Sequence, residues 1–289
     1  MHDRVWKTNR YVYPVVSRRS KGISIGINLN PDKVCNFDCI YCSVDRKDAL
    51  PATAVPPVDL ALLRTELSQM IDIARTGTIY NFDPFDRVPL ALRRINDIAF
   101  SGDGEPTSFP QFPQACELAV ELATAAGLLP AAPSPSTAGA LKIVVITNAT
   151  MFHRPAVASA LGFLDAHNGE IWAKLDAGTE NYYHLIERTT VPYQRILDNL
   201  LTCARARPTV IQTLFMRVHN VPPSPEEIAA YAARLHHILQ NGGQLKLIQL
   251  YTVARATTES YATPLTLEEL TIIAAQIRTT LPTAVEVYP

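Results

Sequence analysis

From residue 23 onward, short runs of apolar and β-branched residues alternate with longer stretches whose apolar positions recur every three or four residues. ISIGINLN, beginning at Ile23, has the make-up of a buried strand. Residues 57–75 set Leu60, Leu63, Leu67 and Met70 on one helical face. INDIAF from Ile95 predicts a strand and 111–126 a helix; KIVVITN from Lys142 and 155–167 repeat the pair. EIWAKLDA from Glu170 is a strand, followed by a helix from Tyr193, and TVIQTLFMR from Thr209 is the next strand. SPEEIAAYAARLHHIL opens with Ser224 three residues before Glu227, a capping-box spacing. After the strand QLKLIQLYTV, Thr266 and Glu269 repeat that spacing, and AVEVY ends the chain as a short strand.

Strands separated by helices imply a parallel sheet with right-handed crossovers. A closed or partly closed barrel and a doubly wound open sheet both satisfy the pattern, and spacing alone does not separate them. Residues 128–141, rich in Pro, Ala and Ser, break the rhythm and read as an exposed insertion. With residues 1–22 as an N-terminal extension, the whole of 1–289 reads as one domain without internal repeats.

Composition narrows the partners. Of 289 residues, 47% are hydrophobic and 18% charged, which suits a globular chain with a substantial core. Lys plus Arg is 26 against 27 for Asp plus Glu, so the basic excess usual in nucleic-acid-binding proteins is missing. No secretory signal is visible, and no apolar run approaches the ~20 residues that span a bilayer. Five cysteines, an odd number at low density, fit a reducing compartment. The expectation is a cytoplasmic monomer with no membrane partner.

The candidate chemistry lies in CNFDCIYCSVDR, where Cys35, Cys39 and Cys42 fall within eight residues. Structural zinc wants four ligands, and the nearest histidines, His2 and His153, are far along the chain. A disulfide would strand the third thiol. Three thiolates on a loop after a strand suit an iron–sulfur cubane in which one iron keeps an open position for an exchangeable ligand. Cys116 and Cys203 lie on apolar helical runs and read as buried filler.

The C-x3-C-x2-C spacing, with Tyr41 before the last cysteine, resembles the signature of the radical S-adenosylmethionine superfamily. VSRRSKGISIGINLNPDKVCNFDCIYC, SGDGEPT, ITNAT, KLDAGT and QLYTVAR, between Val16 and Arg255, resemble its branch of Fe–S oxidoreductases related to the tRNA wyosine-base synthesis enzymes. The resemblance implies a partial (β/α)6-type TIM barrel of mostly parallel strands with outer helices. It implies a [4Fe-4S] cluster on Cys35, Cys39 and Cys42, and S-adenosylmethionine chelating the fourth iron. Reductive cleavage would then give a 5′-deoxyadenosyl radical that abstracts hydrogen from a substrate, the electron coming from a donor such as flavodoxin or ferredoxin.

By the same likeness Tyr41 would lie near the adenine, and Gly102, Asp103, Gly104, Glu105 and Pro106 would receive the methionine ammonium. Thr147, Asn148, Lys174 and Asp176 would reach the cofactor's carboxylate and ribose. Lys174, Arg217, His219 and Arg255 are the candidate catalytic residues, and Thr252 a further candidate for substrate contact. Arg18 and Arg19 read equally as a clamp for a phosphate or carboxylate and as structural partners of Asp38 or Asp45. The wyosine enzymes carry further cysteines upstream for a second cluster, whereas this chain has none before Cys35. One cluster is therefore expected, and cofactor chemistry transfers better than the wyosine reaction. The substrate stays open among small molecule, peptide and RNA. An Fe–S electron-transfer or binding protein without radical chemistry is the alternative from another class.

Overall fold

The structure, a computed structural model, describes residues 6–46, 57–130 and 140–289; the core of the Pro-rich insertion, 131–139, lies outside the described residues. Its strands are β1 (Val12–Ser17), β2 (Gly22–Ile27), β3 (Ile95–Phe100), β4 (Lys142–Thr147), β5 (Gly169–Lys174), β6 (Thr209–Leu214), β7 (Met216–Val218), β8 (Leu245–Tyr251), β9 (Ala262–Pro264) and β10 (Val285–Tyr288). Eight of them form one sheet in the order β1-β2-β3-β4-β5-β6-β8-β10. β1 runs antiparallel to β2, and every other pair in that sheet is parallel. The sheet curls into a half-barrel whose two edges, β1 and β10, are not paired with each other. This decides between the two architectures the sequence leaves open.

The helices are α1 (Leu60–Arg75), α2 (Phe112–Ala125), α3 (Pro155–Asp165), α4 (Glu180–Glu187), α5 (Tyr193–Ala206), α6 (Pro225–Gln240) and α7 (Leu267–Thr280). They cover the outer face of the sheet because strand side chains alternate in direction. Ile25, Ile98, Ile143, Ile211 and Ile248 point outward and are fully buried with Leu63, Ala119, Leu164, Leu200, Leu235 and Ile277 of the helices. The inner face is different. Ala99, Val144, Trp172 and Val210 form a small separate apolar cluster, flanked by Ser24, Asp97, Gln212 and Gln249. A TIM barrel ordinarily fills its interior with branched apolar side chains; this inner face does not, and a cavity remains.

Three local readings change. Residues 12–17, taken from sequence as part of an extension, form β1, the antiparallel edge strand. TVIQTLFMR breaks at Phe215 into β6 and β7, and β7 leaves the barrel to pair with β9. At α6 the Ser224 side chain accepts from the Glu227 amide, but the Glu227 carboxylate turns away to the Gly178 amide and the Thr179 amide and hydroxyl. The Thr266–Glu269 box is closed in both directions.

Candidate active site

The loop after β2 carries the three cysteines and is tied down on both flanks before any ligand is considered. Asn28, at the exit of β2, accepts from the amides of Asn30 and Asp103 at 3.0 Å each and donates to the Asp103 carboxylate at 2.7 Å. Further on, the Asp38 and Ile40 amides donate to the carbonyls of Glu187 and Ile186 at the end of α4. The Thr258 and Glu259 amides donate to the carbonyls of Cys42 and Ile40. Phe37 and Ile40 are buried in the main core. The loop is thus an ordered platform.

SGDGEPT leaves β3 directly against this platform. A Cβ at Gly104 would collide with the Val34 carbonyl oxygen, so only glycine lets the two loops meet. Glu105 is 2% exposed and turns away from the solvent. Its carboxylate accepts from the Thr107 amide and hydroxyl, from the Thr147 hydroxyl at 2.7 Å and from the Asn148 amide at 2.7 Å. It therefore locks the ends of β3 and β4 together. Asn148 continues the chain of contacts to Asn36 at 2.8 Å, and Asn36 to Thr150 at 2.7 Å, which ties the cysteine loop to β4. The carbonyls of Gly102 and Gly104, on the cavity wall, accept no hydrogen bond among the described residues. Those of Asp103 and Glu105 are taken by Arg46 and Ser108.

Behind Cys39 lies a buried polar cluster. Lys174, at the end of β5, pairs with Asp176 at 2.9 Å and donates to the Tyr251 hydroxyl at 2.8 Å. The Tyr41 hydroxyl donates to Asp176 at 2.5 Å, and the Cys39 thiol to Glu187 at 2.8 Å. Asp176 also accepts from the Leu214 amide, fixing the end of β6. Burial opposes the charge of Lys174, yet Asp176, with Tyr251 and Glu187, holds its ammonium well above the usual range. Burial, and then the neighbouring Asp176, pushes Glu187 up to about 8.

Cys35, Cys39, Cys42, Gly102, Gly104, Glu105, Thr147, Asn148 and Lys174 line one cavity of about 380 Å³ on the inner side of the half-barrel. Thr252 and Arg255 line it too. Asp103 stands beside it on Asn28, Pro106 begins the 3-10 turn Pro106–Ser108, and Asp176 sits behind Tyr41. Two candidates are elsewhere. Arg217 pairs with Glu269 of α7, and His219 stacks on Tyr261 at 4.2 Å, both beside the β7–β9 pair and off the cavity wall. They leave it because the strand breaks at Phe215, which periodicity does not reveal.

The donor set fits a cluster. Burial pushes the Cys35 thiol up to about 11 and raises Cys39 well above its ordinary value, with the nearby Glu187 adding to the latter. Bare thiolates are therefore disfavoured, and coordination to cationic iron is what would deprotonate them. Arg46 Nη2 donates to Cys42 Sγ at 3.5 Å and supplies a fixed positive charge at the rim. Among the described residues no three His, Cys, Asp or Glu side chains converge closely enough to hold one metal ion. Thiolates that each serve a different iron stand further apart than the ligands of a single zinc.

Residues 29–235 match the family model of the Radical SAM superfamily, well over half of the chain. The chain belongs to this superfamily. Its fold is shared with a radical SAM methyltransferase from Sphaerobacter thermophilus, at a TM-score of 0.59 and 11% identity over 96% of this chain and 68% of that one. TYW1 with a lysine-pyruvate adduct bound is similar at a TM-score of 0.51 and 16% identity, covering 89% and 73%. In sequence the chain is 23% identical over 268 residues to a protein of Brachyspira hyodysenteriae named GTPase Obg, covering 91% of this chain but only 33% of that one. No helix among the described residues is long and apolar enough to cross a membrane.

Sequence spacing alone pointed to neither Asn28, Asn36, Arg46 nor Glu187. Asn36 and Arg46 lie within the cysteine stretch itself but have no part in its spacing, whereas Asn28 reaches the site from the exit of β2 and Glu187 from α4.

Proposed function

We propose that the protein binds a [4Fe-4S] cluster through Cys35, Cys39 and Cys42 and cleaves S-adenosylmethionine reductively in the same cavity. The observation that carries this reading is the juxtaposition of those three thiols with the open carbonyls of Gly102 and Gly104, in a cavity lined by no histidine and no further cysteine among the described residues. When bound, the cluster supplies one electron that breaks the sulfonium, giving methionine and a 5′-deoxyadenosyl radical for hydrogen abstraction.

The chain's own residues bind and shield. The Gly102 and Gly104 carbonyls accept from the ammonium of the cofactor, and Lys174, kept protonated by Asp176, offers a fixed cation to its carboxylate or ribose. Because Lys174 stays charged, it serves as an electrostatic anchor and not as a base. Asn148 and Thr147, held by Glu105, complete the wall. Tyr41 closes the floor beneath Lys174, whose Nζ is 5.0 Å from its ring centre. A low-potential donor such as a flavodoxin or ferredoxin provides the electron, and one domain suffices for the site.

The test is anaerobic reconstitution followed by dithionite and S-adenosylmethionine. Release of 5′-deoxyadenosine is expected, and replacing Cys35, Cys39 or Cys42 singly by Ala abolishes it. Protein with an intact cluster that releases none would overturn the reading in favour of an electron-transfer or binding role.

A further inference from the structure

The cysteine loop and the Gly102–Glu105 segment occupy only one side of the cavity. The other side is closed by a turn that the proposed cofactor chemistry does not use. Residues 18–21 connect β1 to β2 at one edge of the half-barrel, yet both arginines of that turn reach across to the opposite edge. Arg18 donates to the main-chain oxygen of Pro289, next to β10. Arg19 lies over the ring of Tyr251 on β8, with its guanidinium carbon 4.9 Å from the centroid, and 5.9 Å from that of Trp172 on β5. The pair therefore spans the lateral opening of the half-barrel.

The two arginines are not equivalent. Arg18 is spent on the main chain, whereas Arg19 makes no ion pair and no hydrogen bond among the described residues. Neither meets Asp38, which pairs with Arg188. Two aromatic rings flank the Arg19 guanidinium while its N–H groups find no acceptor among the described residues, which suits a planar fork for an incoming anion. The acid on the same wall, Asp97, is already engaged by the Ser24 hydroxyl. Deeper in, Gln212 is fully buried at the level of Lys174 and donates to Gln249 at 2.8 Å, but its Oε1 has no partner. A buried amide oxygen without a donor loses the hydrogen bond it would have had to water. Turning both amides over would only exchange the unpaired oxygen for an unpaired nitrogen. The wall between Arg19 and Gln212 is thus polar, organised and incompletely satisfied.

We infer that this side of the cavity is the substrate subsite, and that it takes a small anionic metabolite whose carboxylate or phosphate is bound by Arg19. Gln212 would accept from an N–H or O–H of the same molecule. The inference rests on the proposed function, since the cofactor defines which side remains for substrate. The chain's formal charge of −1 gives no general pull on RNA.

The experiment is anaerobic titration calorimetry on the cluster-loaded protein saturated with S-adenosylmethionine, with inorganic phosphate, malonate and bulk tRNA as separate probes. Saturable binding of phosphate or of malonate is expected, and which of them binds identifies the anion. Arg19→Gln should weaken it about tenfold or more, as the loss of a charge-assisted bond does, and Arg19→Lys should restore part of it. The cofactor-induced change in the cluster's paramagnetic resonance spectrum and the thermal midpoint should be unchanged in both variants, which a merely structural latch across the seam would not allow. No binding of either small anion, equal binding by Arg19→Gln, or binding of tRNA alone would overturn the subsite. A wild-type protein whose spectrum ignores S-adenosylmethionine would instead overturn the proposed function, whatever the anions do.

Discussion

Glu105 and Glu187 are both buried acids beside the cysteine loop, and they behave differently because their partners differ. Glu105 faces backbone and hydroxyl donors that stabilise its charge, so burial raises it only in part against them. Glu187 faces another acid, Asp176, and a thiol, and rises to about 8. In the cluster-free protein the folded chain therefore keeps a proton on Glu187 that the unfolded chain releases near its ordinary value of 4.5. The folded state binds more protons between those values, so stability should fall as pH rises from about 4.5 to about 8 and level off above. Urea titrations of cluster-free protein across that range should show the slope, and Glu187→Gln should flatten it. A slope that survives the substitution would assign it to another group.

At the scale of elements, buried carboxylates also act as clamps between segments distant in sequence. Glu66 sits on the inner face of α1 and accepts from the amides of Arg10 at 2.8 Å, Tyr11 at 2.9 Å and Val12 at 3.2 Å, which anchors the start of β1. Truncating it leaves those amides without their acceptor, so Glu66→Ala should cost about 3 kcal/mol, read as a lowered urea midpoint with the slope retained. Glu227 does the same for the turn after β5, where a Cβ on Gly178 would collide with the Tyr231 amide of α6. This explains which elements were legible. Strands β2 to β6 and β8, and the longer helices, show in the sequence because each carries its own apolar period. β1 and α4 were not read there: β1 is anchored by the Glu66 side chain of α1, and the short α4 is held at its end by main-chain bonds from the cysteine loop. The three cysteines were legible because their spacing is local. Glu187 was invisible because only α4 brings it to Cys39.

Across the whole molecule, the half-barrel separates stability from chemistry by strand parity. Outward residues pack against helices and carry the core; inward ones leave polar groups and space. The cysteine loop is joined to α4 and to residues 258–259 by backbone bonds that involve no thiol. Removing iron with a chelator should accordingly leave the far-ultraviolet dichroism intact, and the amides of Asp38, Ile40, Thr258 and Glu259 should exchange with solvent as slowly as before. Fast exchange at those amides after iron removal would show that metal holds the loop. The contrast is with small zinc domains, which unfold when stripped.

That anchoring bears on what oxygen would do to the protein if it carries the proposed cluster. A socket built from main-chain ties would keep its shape if oxygen destroyed what it holds, and damage would then be confined to an inorganic part that can be replaced. The polypeptide would wait, folded, for iron and sulfide to be delivered again.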